Sequence, residues 1–326
     1  MFNIQIIKAL LYNFRINTYL SKIFFYWKKT HNLNVKKDFC SITNVRYRTF
    51  DQKLIKRMKC KMLNAPPYKI VDLNSENIEN YDLFCSKEKN NQGYQNKVEW
   101  LRERFKEGLR YKLLMIQNEE NDYESGGFIE YIPGESVWRG IHAPGWMAIH
   151  CILVSNKYHN LKFGSKLLEE CYNDAKGTNG VVILTSIEGG WEPTNSLFVK
   201  QGFQKVDEFP PFELMAKKFV DDGPSPKFNV QEMTSDEKKL KLYGIKTYQC
   251  PYDDHMSKLL KEVAKEINSN LTIKELKDST SVQENGLHPY ATFCVFSEGK
   301  FLTRMPYSKE DILKPLAEID IKFKGE

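Results

Sequence analysis

Residues 158–168 read Tyr-His-Asn-Leu-Lys-Phe-Gly-Ser-Lys-Leu-Leu. This segment follows an apolar run at residues 146–154, which predicts a strand, and it opens a helix predicted over residues 164–175. A helix N-terminus carries unpaired backbone N–H groups and the positive end of the helix dipole. Gly164 and Ser165 lack bulk, so a diphosphate can approach the backbone closely at this point. The segment therefore predicts a strand–loop–helix unit of an α/β domain that binds phosphate groups.

A second motif lies about thirty residues further along, where residues 195–203 read Asn-Ser-Leu-Phe-Val-Lys-Gln-Gly-Phe. Together the two segments resemble the central motifs of the GNAT superfamily of N-acetyltransferases. The first family motif reads Arg/Gln-x-x-Gly-x-Gly/Ala, and the second ends in Tyr-x-x-x-Gly-Phe. Further runs are similar to YoaP-type acetyltransferases, in which a GNAT domain carries a small C-terminal YoaP-like domain. These runs lie at residues 128–140, 149–150, 210–213 and 285–294.

The resemblance covers about residues 65 to 320 and implies an α/β protein. Its GNAT fold is a mixed, mostly antiparallel twisted sheet flanked by helices, and a small thioredoxin-like α/β domain is expected to follow it. The predicted organisation is a basic extension at 1–61 that is disordered or reflects a non-native start, a GNAT acetyltransferase domain at 62–220, a linker at 221–245 and a YoaP-like, thioredoxin-like domain at 246–326. The acidic, Pro-containing stretch after residue 220 is typical of a linker.

The resemblance also implies acetyl-CoA as the co-substrate, with no metal ion. Backbone contacts to its pantetheine arm are expected from Ile152, Leu153 and Val154. The remaining positions implied by the family motifs are His159, Asn160, Leu161, Lys162, Phe163, Gly164 and Ser165 in the first motif, and Asn195 and Phe198 in the second.

Three of these positions depart from the family pattern. His159 stands where the family usually has Arg or Gln, and Lys162 replaces the first Gly of the loop. A Cβ at residue 162 is awkward if the backbone there requires a positive φ. Phe198 corresponds to the Tyr that often protonates the departing CoA thiolate, and a Phe side chain has no proton to give. Either another group or water then supplies this proton, or the reaction does not need such a donor.

Two residues are candidates for the base that deprotonates the acceptor amine. His150 lies on the strand before the diphosphate loop and titrates near neutrality; the alternative is a buried histidine with satisfied hydrogen bonds. Glu130 lies on the preceding strand, and its alternative is a solvated strand charge. Cys151 alternates with His150, so it is expected on the opposite face of the sheet, as a core residue.

Cys250 is a candidate reactive thiol in the C-terminal part of the chain. Cys250 directly precedes a helix predicted over residues 251–267. Cys-Pro-Tyr at a helix N-terminus is similar to glutaredoxins, and the helix dipole would lower the pKa of the thiol. Asp253 takes the place of the usual second Cys and opposes thiolate formation. A redox-inactive adaptor is the alternative. Because a linker is predicted between the domains, acetyl transfer is expected not to depend on Cys250.

The distribution of charge excludes a nucleic acid partner. The net charge is +6, but residues 1–61 hold 14 basic and 2 acidic residues, which leaves 34 basic and 40 acidic residues in the remainder. The folded part therefore has no basic stripe for phosphate backbones. Seven cysteines without short spacings indicate a reducing compartment. The predicted location is the cytoplasm, or the mitochondrion if residues 1–61 are a genuine transit segment.

The sequence thus predicts an N-acetyltransferase that moves an acetyl group from acetyl-CoA to a primary amine of a small molecule or peptide. No stable membrane association of the folded part is expected, and the oligomeric state stays open. Two alternatives remain: a catalytically weak acetyl-CoA-binding protein, and a thiol-redox or adaptor protein that acts through the C-terminal domain.

Overall fold

The computed structural model describes residues 65–188, 193 and 195–324, with side chains through residue 319. The predicted extension at 1–61 lies outside the described residues. Residues 65–326 make up one unit by their contacts. No helix in the described part of the chain is long and apolar enough to cross a membrane.

In the described part of the chain, strands outnumber α-helices. The strands are β1 Tyr68–Leu73, β2 Arg110–Gln117, β3 Tyr123–Pro133, β4 Ile141–His142, β5 Met147–Val154, β6 Gly180–Ser186, β7 Gln204–Phe209, β8 Phe212–Lys218, β9 Lys227–Phe228, β10 Leu242–Lys246, β11 Leu271–Glu275, β12 Phe293–Ser297 and β13 Lys300–Arg304. The helices are α1 Gln92–Lys106, α2 Phe163–Asp174, α3 Ser196–Lys200, α4 Asp253–Glu266, α5 Ser279–Asn285 and α6 Glu310–Lys324.

Seven strands form a mixed sheet in the order β1-β2-β3-β5-β6-β8-β7. Every neighbouring pair is antiparallel except β5 and β6, which are parallel and are joined by the crossover helix α2. The sheet buries α2 on one face, where Leu167, Leu168 and Cys171 pack onto Ile149 and Ile183. This arrangement is the α/β GNAT fold, a mixed sheet flanked by helices.

The other face of the sheet is covered by α1 and by the C-terminal part of the chain. Val98 and Leu101 of α1 share one buried cluster with Val182 of β6 and Ile245 of β10. Helix α1 also places Lys97 on its buried side, although a lysine side chain is rarely buried without a partner.

The C-terminal part has its own four-stranded sheet in the order β11-β10-β12-β13. Strands β10 and β11 are parallel, and the other two pairs are antiparallel. Leu184 and Phe212 of the larger sheet lie in one buried cluster with Leu260 and Phe293, so the two sheets pack through a common apolar layer.

The predicted linker lies against the larger sheet. Strand β9 within it pairs with β4, and the indole Nε1 of Trp146 donates a hydrogen bond to the carbonyl of Pro224 at 2.7 Å. The expectation that this segment keeps the two parts of the chain separate is therefore wrong, because the segment contacts the residues around the larger sheet and the part that follows it packs onto that sheet.

Candidate active site

Strand β5 has an irregular register opposite β3. Glu130 pairs with Cys151 and Tyr131 pairs with Ile149, which leaves His150 as an extra residue on β5. Such a bulge interrupts the alternation of side chains along a strand. Glu130 and Cys151 consequently line the same cavity, and His150 also contacts Glu130. The prediction that Cys151 faces away from His150 is wrong because it assumed a regular strand.

Strands β5 and β6 diverge directly beyond this bulge. Their ladder joins Met147–Ile149 to Val181–Ile183, although β5 continues to Val154 and β6 to Ser186. The backbone of Ile152–Val154 therefore faces an opening on its β6 side. An extended ligand with amide groups can pair with such an unpaired strand edge.

The loop before α2 has two residues with left-handed backbone conformations. Asn160 has φ 64° and Lys162 has φ 65°, and Lys162 is the N-cap of α2 without a side-chain capping bond. Left-handed residues within a turn aim successive N–H groups at one point and form an anion-binding concavity. The first N–H groups of α2 have no partner within the helix and add to it. Lys162 thus adopts the strained conformation in spite of its Cβ.

The side chains of this loop differ in what they contact. His159 places Nε2 at 3.0 Å from the carbonyl oxygen of Val154, at the end of β5. Ser165 accepts a hydrogen bond from Gln201 at 3.1 Å. Phe163 is buried in the core and holds the helix on the sheet. Leu161 is half-buried, and Asn160 is exposed.

The two candidates of the second motif have structural contacts. Asn195 donates a hydrogen bond to Glu213 at 2.7 Å. Phe198 is fully buried, with its ring centroid 5.3 Å from that of Phe203. Phe198 is therefore a core residue of α3.

A buried polar network surrounds the carboxylate of Glu130. Its Oε2 accepts from the ammonium of Lys97 at 2.5 Å, and its Oε1 accepts from the side-chain amide of Gln249 at 2.9 Å. The Nδ1 of His150 lies 3.3 Å from Oε1. Glu130 is only 1% exposed, so the expected alternative of a solvated charge is wrong. Burial alone would raise the pKa of Glu130, but the Lys97 ammonium and the His150 hydrogen bond outweigh it and lower the pKa to about 2.

His150 has both ring nitrogens engaged. Its Nε2 accepts the backbone N–H of Trp138 at 3.0 Å, which requires the proton on Nδ1, where it points to Glu130. Burial lowers the pKa of His150 to about 4, against the opposing hydrogen bond to Glu130. This geometry favours a buried histidine that holds Glu130 in place over a histidine that touches the acceptor.

Glu130 faces a small chamber of about 50 Å³. The chamber lies between the larger sheet, α1 and the C-terminal part, and its wall is mostly apolar. Its lining residues are Leu83, Cys85, Lys97, Tyr111, Phe128, Glu130, Arg139, Cys151, Gln249, Cys250, Pro251, Tyr290 and Thr292.

Three of the lining residues are cysteines, and all three are protonated at neutral pH. Burial raises the pKa of Cys151 to about 11 and also raises the pKa values of Cys85 and Cys250 well above the usual range of a thiol. For Cys250, the neighbouring carboxyl group of Asp253 adds to the effect of burial. This is the reverse of the acidification expected from the helix dipole, because desolvation of the thiolate dominates.

The chamber joins the two parts of the chain by hydrogen bonds. The guanidinium of Arg139 donates to the carbonyl of His150 at 2.7 Å, to the hydroxyl of Thr292 at 3.0 Å and to the side-chain oxygen of Gln249. Gln249 in turn donates to Glu130. The expectation that acetyl transfer is independent of the region around Cys250 therefore loses its basis, since no linker separates that region from Glu130.

Buried histidines give a prediction for the pH dependence of stability. Burial lowers the pKa of His288 to about 3, as it lowers that of His150 to about 4. Below about pH 6.5 the unfolded chain binds protons at these residues that the folded chain does not bind, so stability falls as the pH drops from 6.5 toward 4. Urea denaturation at pH 7 and pH 4.5 measures this loss.

His288→Asn is the variant that checks the cause. Asparagine keeps an acceptor for the N–H of Tyr290, and the loss of stability should be smaller in this variant. An equal loss in both proteins contradicts the prediction.

The sequence is 30% identical over 258 residues to the uncharacterized N-acetyltransferase YoaP of Bacillus subtilis strain 168, and the match covers 76% of this chain and 99% of that protein. This chain belongs to the GNAT family of N-acetyltransferases. It is accordingly an acyl-CoA-dependent N-acyltransferase. No protein-family model matches the sequence.

Solved structures that resemble this GNAT N-acetyltransferase cover about half of it. A GNAT-family acetyltransferase from Staphylococcus aureus Mu50 is 15% identical, covers 47% of this chain and all of its own chain, and has a TM-score of 0.31. The PaiA N-acetyltransferase from Thermoplasma acidophilum, determined in complex with coenzyme A, is 16% identical, covers 47% of this chain and 99% of its own, and has a TM-score of 0.33.

Three residues of this GNAT N-acetyltransferase escaped the sequence analysis: Lys97, Arg139 and Gln249. Lys97 could have been predicted as a site residue, because it lies on the apolar stripe of α1 between Tyr94 and Leu101, where a lysine needs a buried partner. Arg139 lies in the run 128–140 that resembles YoaP-type enzymes, but its contacts with Gln249 and Thr292, and that of Gln249 with Glu130, join residues distant in the chain and could not be predicted. Among the described residues, no group of three or more His, Cys, Asp or Glu side chains is arranged to hold a metal ion.

Proposed function

We propose that this enzyme transfers an acetyl group from acetyl-CoA to a primary amine held beside Glu130. The observation that carries the proposal is the position of the Glu130 chamber. It adjoins the bulge at His150, directly where β5 and β6 diverge. A donor that enters between the strands and an acceptor in the chamber would meet at this point.

The donor half of the proposal rests on the loop before α2. The diphosphate would be bound by the backbone N–H groups that follow Lys162, with Gly164 and Ser165 allowing close approach. The pantetheine arm would continue along the free edge of Ile152–Val154. We propose His159, Asn160 and Leu161 as the outer contacts of the same site, and Asn195 and Phe198 as residues that support it.

The reaction joins the amine to the acetyl group in two bond changes. The nitrogen lone pair attacks the thioester carbonyl carbon, and the carbon–sulfur bond then breaks with its electrons on sulfur. The nitrogen loses one proton and the sulfur gains one, which gives an N-acetylated amine and free CoA. An alkyl thiol has a pKa of about 8.5, so the thiolate is a competent leaving group without a strong acid. Phe198 in place of a tyrosine is compatible with this chemistry.

Glu130 would act on the amine as a fixed negative charge. During attack the nitrogen becomes positively charged, and a carboxylate already held in position stabilises that charge without rearrangement. Because the pKa of Glu130 is lowered to about 2, Glu130 stays ionised, and the proton that the nitrogen then releases passes to the departing sulfur or to water. His150 and Lys97 hold the carboxylate in place and keep it ionised. In this proposal His150 is a positioning residue.

The charges of the chamber favour an uncharged amine. Lys97 and Arg139 contribute two positive charges, against the one negative charge of Glu130. A low-dielectric site with a net positive charge disfavours an ammonium group. The neutral amine is the form that has a lone pair for attack, so the chamber would select the reactive form.

For the C-terminal part we propose a thioredoxin-like fold in a supporting role, over the predicted residues 246–326 together with the start of β10, which begins at Leu242. The strand order β11-β10-β12-β13, with the parallel pair joined by α4, supports this fold. The raised pKa of Cys250 favours an adaptor over a dithiol reductase. Residues 62–220 and 221–245 remain our proposal for the acetyltransferase domain and the connecting segment.

A panel of primary amines, aminoglycosides and peptides tests the proposal. Release of CoA thiol is measured with acetyl-CoA, and tertiary amines of similar size serve as controls because they have no proton to lose. We expect CoA release with at least one primary amine and with none of the tertiary amines. Binding of acetyl-CoA without acetylation of any amine would instead support the alternative of a catalytically weak binding protein.

A further inference from the structure

The Glu130 chamber adjoins a larger, open pocket of about 350 Å³. Cys85 and Pro251 line both spaces, so they form the partition between them. The outer pocket is polar, and its lining includes Lys87, Glu88, Asp254 and Lys258.

The partition is held closed by contacts between the two parts of the chain. The hydroxyl of Tyr252 donates a hydrogen bond to the carbonyl of Cys85 at 2.8 Å. Close by, a Cβ at Gly93 would lie 2.0 Å from the carbonyl oxygen of Pro251. Helix α1 therefore lies so close to the segment before α4 that only glycine fits at position 93.

The volume of the chamber limits what reaches Glu130. A water molecule needs about 10–15 Å³ of such cavity space. A chamber of about 50 Å³ therefore holds only the small end of an acceptor, and the narrow partition at Cys85 and Pro251 favours a thin, unbranched stem behind it. The polar lining of the outer pocket suits a polar body that stays outside the partition.

We infer that the C-terminal part forms one wall of the acceptor site, with Gln249 and Cys250 as its specificity-determining residues. The acceptor is a primary amine on an unbranched methylene stem, and it enters between residues 85–91 and the start of α4. Cys250 acts as a small neutral wall and undergoes no chemistry. This inference rests on the proposed acetyl transfer and adds to it the class of acceptor and the path of entry.

Two substitutions at Cys250, one to a smaller and one to a larger side chain, test whether this residue limits the size of the acceptor. The ratio of kcat/KM for n-propylamine to that for isopropylamine is measured in each protein, and calorimetry measures acetyl-CoA affinity. One misplaced methyl group in a pocket changes kcat/KM by about 10–200-fold. We expect the wild type to prefer n-propylamine by about tenfold or more, and Cys250→Ala to reduce this preference. Cys250→Leu should lower kcat/KM for both amines about tenfold or more, without a change in acetyl-CoA affinity.

The wild type and Cys250→Ala could acetylate both amines with the same ratio of kcat/KM values. Cys250 would then not limit the size of the acceptor, whereas the proposed acetyl transfer would stand. A loss of all turnover in folded Cys250→Ala, with acetyl-CoA still bound, would also overturn the inference, because it would give the thiol a chemical role.

The path of entry has a test that does not depend on turnover. Alkylation of Cys250 by iodoacetamide is followed by mass spectrometry in the wild type and in Tyr252→Phe. Loss of one hydrogen bond across the partition should accelerate alkylation about 2–10-fold. Tyr307→Phe is the matched control, since Tyr307 is 71% exposed in the same part of the chain and does not line either space. Equal rates in the wild type and Tyr252→Phe would contradict the path, even if no amine in the series is acetylated.

Discussion

Glu130→Gln is expected to lower acetyl transfer by about 10²–10³-fold, the range typical for loss of a group that stabilises charge in the transition state. Glutamine keeps the shape of the side chain but lacks the charge that stabilises the attacking nitrogen. Acetyl-CoA affinity should stay unchanged, because the proposed diphosphate and pantetheine contacts lie on α2 and the end of β5. Steady-state kinetics and calorimetry on the same preparation measure the two effects separately.

Glu130→Gln should also lower the stability of the fold, and this effect needs its own control. Lys97 has 5% of its side chain exposed, and the substitution removes its counter-charge. Breaking a buried ion pair costs about 3–5 kcal/mol. The double variant Glu130→Gln/Lys97→Met removes both charges and should restore much of the lost melting temperature. Turnover should remain low in the double variant. Recovery of turnover together with stability would show that Glu130 has only a structural role.

Gly164→Glu is expected to abolish acetyl-CoA binding, with a loss of affinity of about 100-fold or more. A carboxylate at this position would lie beside the phosphates in the first turn of α2, where the helix dipole favours an anionic ligand. Calorimetry with acetyl-CoA gives the affinity, and circular dichroism shows whether the fold is kept.

The matched control is Gly164→Ala. A Cβ at this position would lie 3.2 Å from the Cδ2 of Leu197, a contact that a flexible side chain can relieve. Alanine adds no charge, so its effect on affinity should be much smaller than that of glutamate. Unchanged affinity in a folded Gly164→Glu protein would place the diphosphate elsewhere.

The fold of the larger sheet could be predicted from local patterns. The helix expected at residues 164–175 is Phe163–Asp174, and the buried strand expected at 181–186 is Gly180–Ser186. Their apolar periodicity and the glycine at the helix start are set by residues close together in the chain. The bulge at His150 could not be predicted in this way, because an extra residue shows only in the pairing of two strands.

The candidate site was predictable only in part, for the same physical reason. Glu130 and His150 were identified because carboxylate and imidazole groups suit proton transfer. Their partner Gln249 is 119 residues from Glu130, and that contact depends on how the C-terminal part packs onto the sheet. The state of Cys250 was misjudged because its burial outweighs the local effect of the helix. Both errors come from tertiary packing.

The most direct test of acetyl transfer at Glu130 is a product balance in the wild type and in the Glu130→Gln/Lys97→Met variant. The enzyme is incubated with acetyl-CoA and the best primary amine of the panel, and mass spectrometry quantifies free CoA and N-acetylated amine. The wild type should form the two products in equal amounts, and the double variant should form neither while it still binds acetyl-CoA. Release of CoA without acetylated amine in the wild type, or full acetylation by the double variant, would contradict the proposed site.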